Sequence, residues 1–215
     1  MPESVADDGS RQLPVDWFAL IGIAVTVALH LALQSQKPNP VFIAGACLYW
    51  ACFVAVRGFR HPRVFRQWGF RSENLLRASA IPAVLLGAAA LALGAYAFAQ
   101  GRFVLPLDAV LLFLLYPVWG LAQQFLALGV AVQNLELVPA LGRPWLLAVI
   151  GAALFGAVHA PDWWVVAATF LLELILVPVF LRYRNLWPLG VLHGWLGVLF
   201  YLLGLGRNVL AECLG

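Results

Sequence analysis

Trp163 to Leu181 reads WWVVAATFLLELILVPVFL, nineteen residues in which Glu173 is the single ionisable side chain. A run of that length crosses a hydrocarbon core of about 30 Å as a helix, because each residue advances the chain by about 1.5 Å. Working outward, charged or Pro/Gly punctuation separates six more apolar runs: Val15 to Leu33, Pro40 to Val56, Leu75 to Ala99, Leu107 to Leu135, Trp145 to Ala160 and Trp187 to Leu205. The expected fold is an all-α polytopic membrane protein, a bundle of about seven transmembrane helices.

Composition agrees. Of 215 residues, 63% are hydrophobic and 11% charged, with nine tryptophans, and a soluble domain of this size could not hide that much apolar surface from water. Membrane lipid is the expected surrounding partner. A net charge of +3 raises the question of nucleic acid, but the basic residues cluster at helix ends, so no nucleic-acid partner is expected. Cys47 and Cys52 share one run and cannot bridge along a helix, and Cys213 lies near the end of the chain, so no disulfide framework or zinc spacing is expected.

The reading gives one membrane domain, residues 15–205, between a cytoplasmic N-terminal tail, 1–14, and a C-terminal tail, 206–215. The leader carries Glu3, Asp7 and Asp8 and lacks a basic n-region and a small-residue cleavage site, so the first run reads as a retained helix. Cytoplasmic loops are enriched in Lys and Arg. With the N-terminus inside, Arg11, Arg57, Arg60, Arg63, Arg66, Arg71, Arg77, Arg143, Arg182 and Arg184 are cytoplasmic and only Lys37, Arg102 and Arg207 are outside, ten against three. The chain is expected in the cell membrane with its N-terminus in the cytoplasm.

Polar side chains within the runs are few: His30, Gln123, Gln124, Gln133, Asn134, His159, Glu173 and His193. A charge at a helix centre costs roughly 2.5 to 3.5 kcal/mol on insertion scales, so such residues face other helices or a wet cavity. At about 100° per residue, Gly120, Gln123, Gln124, Ala127, Ala131 and Asn134 fall on one stripe of the fourth helix. Ala152, Phe155, Gly156 and His159 share a face of the fifth, while Gly190, Gly194 and Gly197 form a small-residue face of the seventh with His193 at its border. Small residues let helices approach closely, so these polar groups are candidates for one site. The plainer reading is interhelical hydrogen bonding, worth about 0.6 kcal/mol per residue on average.

The order Gln123-Gln124, then Phe155-Gly-Ala-Val-His159 followed by Ala-Pro, then His193, resembles the CPBP family of intramembrane proteases, the CAAX-prenyl-protease and bacteriocin-processing, or Abi, proteins. The likeness runs from about Leu112 to Leu203, within a CPBP-like core of about 107–205, and Trp68-Gly-Phe-Arg71 is similar to the loop that precedes that core. The family pattern implied is Glu-Glu-x-x-x-Arg, Phe-x-x-x-His and His-x-x-x-Asn/Asp. Phe155, His159 and His193 match; Gln123 and Gln124 occupy the glutamate positions, Leu128 the arginine and Gly197 the Asn/Asp.

The resemblance implies a CAAX-type endopeptidase scaffold acting on a membrane-bound or prenylated peptide, with Gln123, Gln124, His159 and His193 at the catalytic positions. In that mechanism a glutamate activates water, and the histidines and Asn hold the water and stabilise the oxyanion. A glutamine cannot take the proton. Losing a general base forfeits about 10² to 10⁴ in rate, and losing an oxyanion donor about 10² to 10³. A binding role is therefore expected ahead of proteolysis, unless Glu173 substitutes as the base.

Two other classes compete. A bis-histidine haem or metal protein would use His159 and His193, and a small transporter would use Glu173 as its pathway acid, although no inverted repeat is visible. Gly-x-Ser-x-Gly, Gly-x-Gly-Asp and His-Glu-x-x-His motifs are all missing. The fifth run, about sixteen residues, spans near 24 Å, so His159 and His193 are expected at depths differing by several ångströms unless the turn Pro161-Asp-Trp-Trp164 brings them together.

Overall fold

The computed structural model describes residues 14–33, 40–103 and 106–208, all helix and connecting turns with no strand among them. Glu3, Asp7, Asp8, Arg11, Lys37 and Cys213 lie outside the described residues, as does most of each expected tail. The helices are α1 (Trp17–Leu33), α2 (Pro40–Arg60), the short α3 (Val64–Trp68), α4 (Leu75–Ala99), α5 (Ala109–Glu136), α6 (Pro144–Ala157), α7 (Trp163–Tyr183) and α8 (Trp187–Leu205).

Five of these, α2, α4, α5, α7 and α8, are long and apolar enough to cross a membrane, and α1 and α6 are shorter apolar helices. The expectation of about seven spans is thus met by five on length. The 17 residues of α1 and 14 of α6 reach about 26 and 21 Å. Helix ends also shift from the apolar runs: α2 continues past Val56 to Arg60, and α6 stops at Ala157, so His159 sits in the turn beyond it.

The outer surface is apolar. Val84, Leu91, Val110, Leu114, Val118 and Leu171 are all more than half exposed, which suits lipid and not water. Tryptophans at helix starts, Trp17, Trp145, Trp163 and Trp164, are likewise exposed, as amphipathic rings at a membrane interface are. The chain is a multi-pass membrane protein.

Ion pairs and loop hydrogen bonds gather at two ends. At one end Arg57 pairs with Asp16, Arg66 with Glu73 and Arg184 with Glu136. The Trp68-Gly-Phe-Arg71 loop is built into this end: Gly69 closes α3 at φ 102, in the left-handed region glycine favours, and its carbonyl accepts from Leu186 N–H at 2.8 Å. Trp68 is buried against Phe53 and Phe125. Asn185, also buried, donates to the Arg71 carbonyl at 2.9 Å and to Asn74 Oδ1 at 2.7 Å, tying this loop to the α7–α8 link. At the opposite end Arg207 pairs with Asp162, and Arg102 donates to the Gly204 carbonyl at 2.9 Å.

α5 packs most extensively on α8, and α6 on α7. The first contact depends on missing side chains. A Cβ on Gly120 would lie 2.5 Å from the Gly190 carbonyl oxygen and 2.6 Å from the Gly194 nitrogen, and one on Gly190 would lie 2.6 Å from Leu121 Cα. Two helix backbones touch there. Gly197 is different: a Cβ would meet only the Tyr116 ring, at 3.7 Å. It borders open space and is not part of the close contact.

The expected single stripe on α5 is not kept. From Phe125 to Val132 the helix makes wider π turns, with i→i+5 bonding, which rotate everything that follows. Asn134 therefore turns toward α1, where its Oδ1 accepts from Asp16 N–H at 2.6 Å, and Gln133 donates to the Gln67 carbonyl. Gly120, Gln123 and Gln124, which precede the π turns, stay with the interfaces of α7 and α8.

Candidate functional site

A cavity of about 500 Å³ opens among α4, α5, α7 and α8. Leu85, Ala89 and Leu93 of α4 and Leu172 of α7 make its wall apolar; its polar side chains include Tyr116, Trp119, Gln123, His159, Thr169, His193 and Tyr201. Among the described residues no Asp, Glu, Lys or Arg lines it.

His193 stands on α8 one residue before the Gly194 contact with α5, and that close approach brings it to Gln123: Nε2 and Oε1 are 3.1 Å apart. An amide oxygen only accepts, so the imidazole donates from Nε2 and its Nδ1 carries the lone pair. That Nδ1 is buried with no partner among the described residues. His159, in the turn after α6, has Nδ1 2.8 Å from the Phe155 carbonyl, its own i−4 position. The carbonyl likewise obliges Nδ1 to donate and leaves Nε2 as the acceptor.

Phe155 joins the two histidines. Its ring centroid lies 5.1 Å from that of His159 and 5.2 Å from that of His193, edge-on to both. Both histidines thus reach the one cavity, on either side of the Phe155 ring. The chain turns sharply at Pro161 and Asp162, and Asp162 Oδ1 accepts from Val165 N–H at 3.3 Å to start α7.

Gln124 and Glu173 are brought together elsewhere. Both are fully buried and neither lines the cavity; Gln124 Nε2 donates to Glu173 Oε2 at 3.1 Å, joining α5 to α7. Consecutive glutamines thus serve different neighbours, Gln123 toward α8 and Gln124 toward α7. Leu128, at the position of the family's arginine, is fully buried in the apolar core, and Gly197, at the position of its Asn/Asp, lines the cavity with no side chain to offer. Among the described residues no three His, Cys, Asp or Glu side chains gather to hold a metal.

Sequence reasoning missed Tyr116, Trp119, Thr169 and Tyr201 as lining residues. The first two carried a signal, since Tyr116, Trp119 and Gln123 recur at i, i+3 and i+7, one helical face. Thr169 lies one turn before Glu173, but aromatic and Thr residues on apolar helices do not stand out from the core around them.

The described helices thus form a multi-pass bundle with an intramembrane cavity edged by two histidines and an amide. Residues 103–199, a little under half of the chain, match the family model described as type II CAAX prenyl endopeptidase, Rce1-like. The matched residues include Gln123, Gln124, Phe155, His159 and His193. Neither a curated protein nor a solved structure matches the chain.

Proposed function

We propose that this CPBP-type protein uses the intramembrane cavity to bind a membrane-anchored peptide, prenylated or not, and does not cleave it by the family's carboxylate mechanism. The observation that carries this reading is the Gln123–His193 contact at 3.1 Å: an amide stands on the cavity where the family places its water-activating glutamate. The neutral polar lining suits a peptide backbone, whose N–H groups find acceptors in His159 and Gln123, and the apolar wall suits a lipid chain. Gln123, Gln124, His159 and His193 keep the catalytic positions without the base. Glu173, away from the cavity, does not replace it.

In this reading residues 15–205 form one membrane domain with its CPBP-like core at about 107–205, flanked by tails at 1–14 and 206–215. The end of the bundle bearing Arg57, Arg66 and Arg184 faces the cytoplasm, because it carries the excess of basic residues. The N-terminus is then inside.

Photocrosslinking tests the binding. Farnesylated and unprenylated peptides carrying a diazirine are offered to the detergent-purified wild type and to Gly197→Trp, which fills the cavity from a position with room for a side chain. Labelling of cavity residues that falls about tenfold in the filled variant supports the proposal, a change equivalent to about 1.4 kcal/mol in binding. Labelling that is absent, or unchanged by the filling, contradicts it.

A further inference from the structure

Gln124 and Glu173 leave a matched pair of unmet needs. Gln124 Nε2 donates to Glu173 Oε2 at 3.1 Å, yet Gln124 Oε1 and Glu173 Oε1, both buried, have no hydrogen-bond partner among the described residues. An amide oxygen needs a donor, and a carboxylate has none to give; a carboxylic acid has one O–H. A proton on Glu173 Oε1 would satisfy both atoms at once. Burying the ionised form would instead leave a charge without a counter-ion, since the described ion pairs involve Asp16, Glu73, Glu136 and Asp162, all toward the ends of the bundle.

We infer that Glu173 is a neutral carboxylic acid closed with Gln124 into a ring of two hydrogen bonds, and that through this ring it positions the α5 and α7 walls of the cavity. α7 contributes Thr169 and Leu172 to the cavity, and α5 contributes Gln123, the residue adjoining Gln124. The π turns begin immediately afterwards, at Phe125, so the ring holds α5 at the point where its phase changes. The inference does not depend on what the cavity binds.

Infrared spectroscopy of the full chain in lipid, with glutamate side chains carbon-13 labelled, reads the protonation state directly. The wild type is expected to show an isotope-shifted carbonyl stretch of a hydrogen-bonded carboxylic acid at neutral pH, absent in Glu173→Gln. It should return in the exchanged variant Gln124→Glu/Glu173→Gln, where acid and amide have traded helices. Glu173→Gln should also keep the His193 imidazole nitrogen-15 resonances of the wild type, because two amides can close the same ring, whereas Glu173→Leu should shift them. A wild type with no protonated carboxyl signal overturns the inference, as does a signal that survives in Glu173→Gln. If Glu173→Gln does not fold, Gln124→Leu provides the assignment: the band must move toward that of a free acid, and an unmoved band overturns the pairing.

Discussion

Gln123 Oε1 accepts from His193 Nε2 at 3.1 Å, joining α5 to α8 at the edge of the cavity. A carboxylate at position 123 could accept the same bond, so the site's hydrogen-bond geometry tolerates the family's glutamate as well as the glutamine present.

Gln123→Glu is therefore expected to fold, whereas Gln123→Leu leaves His193 with no partner for either ring nitrogen among the described residues, since Nδ1 has none there already. Stranding a buried polar group costs about 1 to 3 kcal/mol. Denaturant titration of the two variants in detergent should show a loss of that size for leucine and a smaller one for glutamate.

The glycines of α5 and α8 differ in what they permit. Gly120→Ala places a Cβ 2.5 Å from a backbone oxygen of α8, and overpacking of this kind costs about 1 to 3 kcal/mol. Gly197→Ala or Gly197→Asn meets only the Tyr116 ring at 3.7 Å and should leave stability within about 0.5 kcal/mol of wild type. Thermal unfolding followed by tryptophan fluorescence distinguishes them.

The Trp68-Gly-Phe-Arg71 loop is held by Asn185, which gives hydrogens to the Arg71 carbonyl and Asn74 Oδ1 and accepts from Trp187 N–H at 3.1 Å. Asn185→Ala removes all three bonds and should cost at least about 1 to 3 kcal/mol. Limited proteolysis should then cut near residue 71, a site protected in the wild type.

The orientation is checked by labelling single cysteines in sealed membranes, after Cys47, Cys52 and Cys213 are replaced by alanine. Arg63→Cys should react with an impermeant maleimide only from the cytoplasmic side, and Gly101→Cys only from the other. The reverse pattern would contradict an N-terminus inside.

Much of this architecture was legible because lipid imposes a simple rule: the apolar runs containing Glu173 and His193 had to be helices, and polar residues within them had to meet. Gly190 and Gly194 also announced the α5–α8 contact by their spacing. Gly197, in the same series, did not share it, because periodicity places residues on a face without saying how far the neighbouring helix continues. Asn134 was misassigned for a different reason. The π turns between Phe125 and Val132 change the phase of α5, and that apolar stretch carries no residue that marks a wider turn. Glu173 was visible as a buried acid, but its partner was not, since Gln124 lies 49 positions away.

In the proposed function the cavity binds a peptide and holds no general base to cleave it. The most direct measurement is cleavage of a panel of prenylated and unprenylated membrane peptides by detergent-purified protein, beside His159→Ala, His193→Ala, a Gln123→Glu/Gln124→Glu variant and an active relative. The wild type is expected to cleave no faster than its histidine variants, while the relative cleaves and the double glutamate variant rises above wild type. Cleavage by the wild type that disappears in both His159→Ala and His193→Ala would contradict it and establish an active protease with an unconventional base.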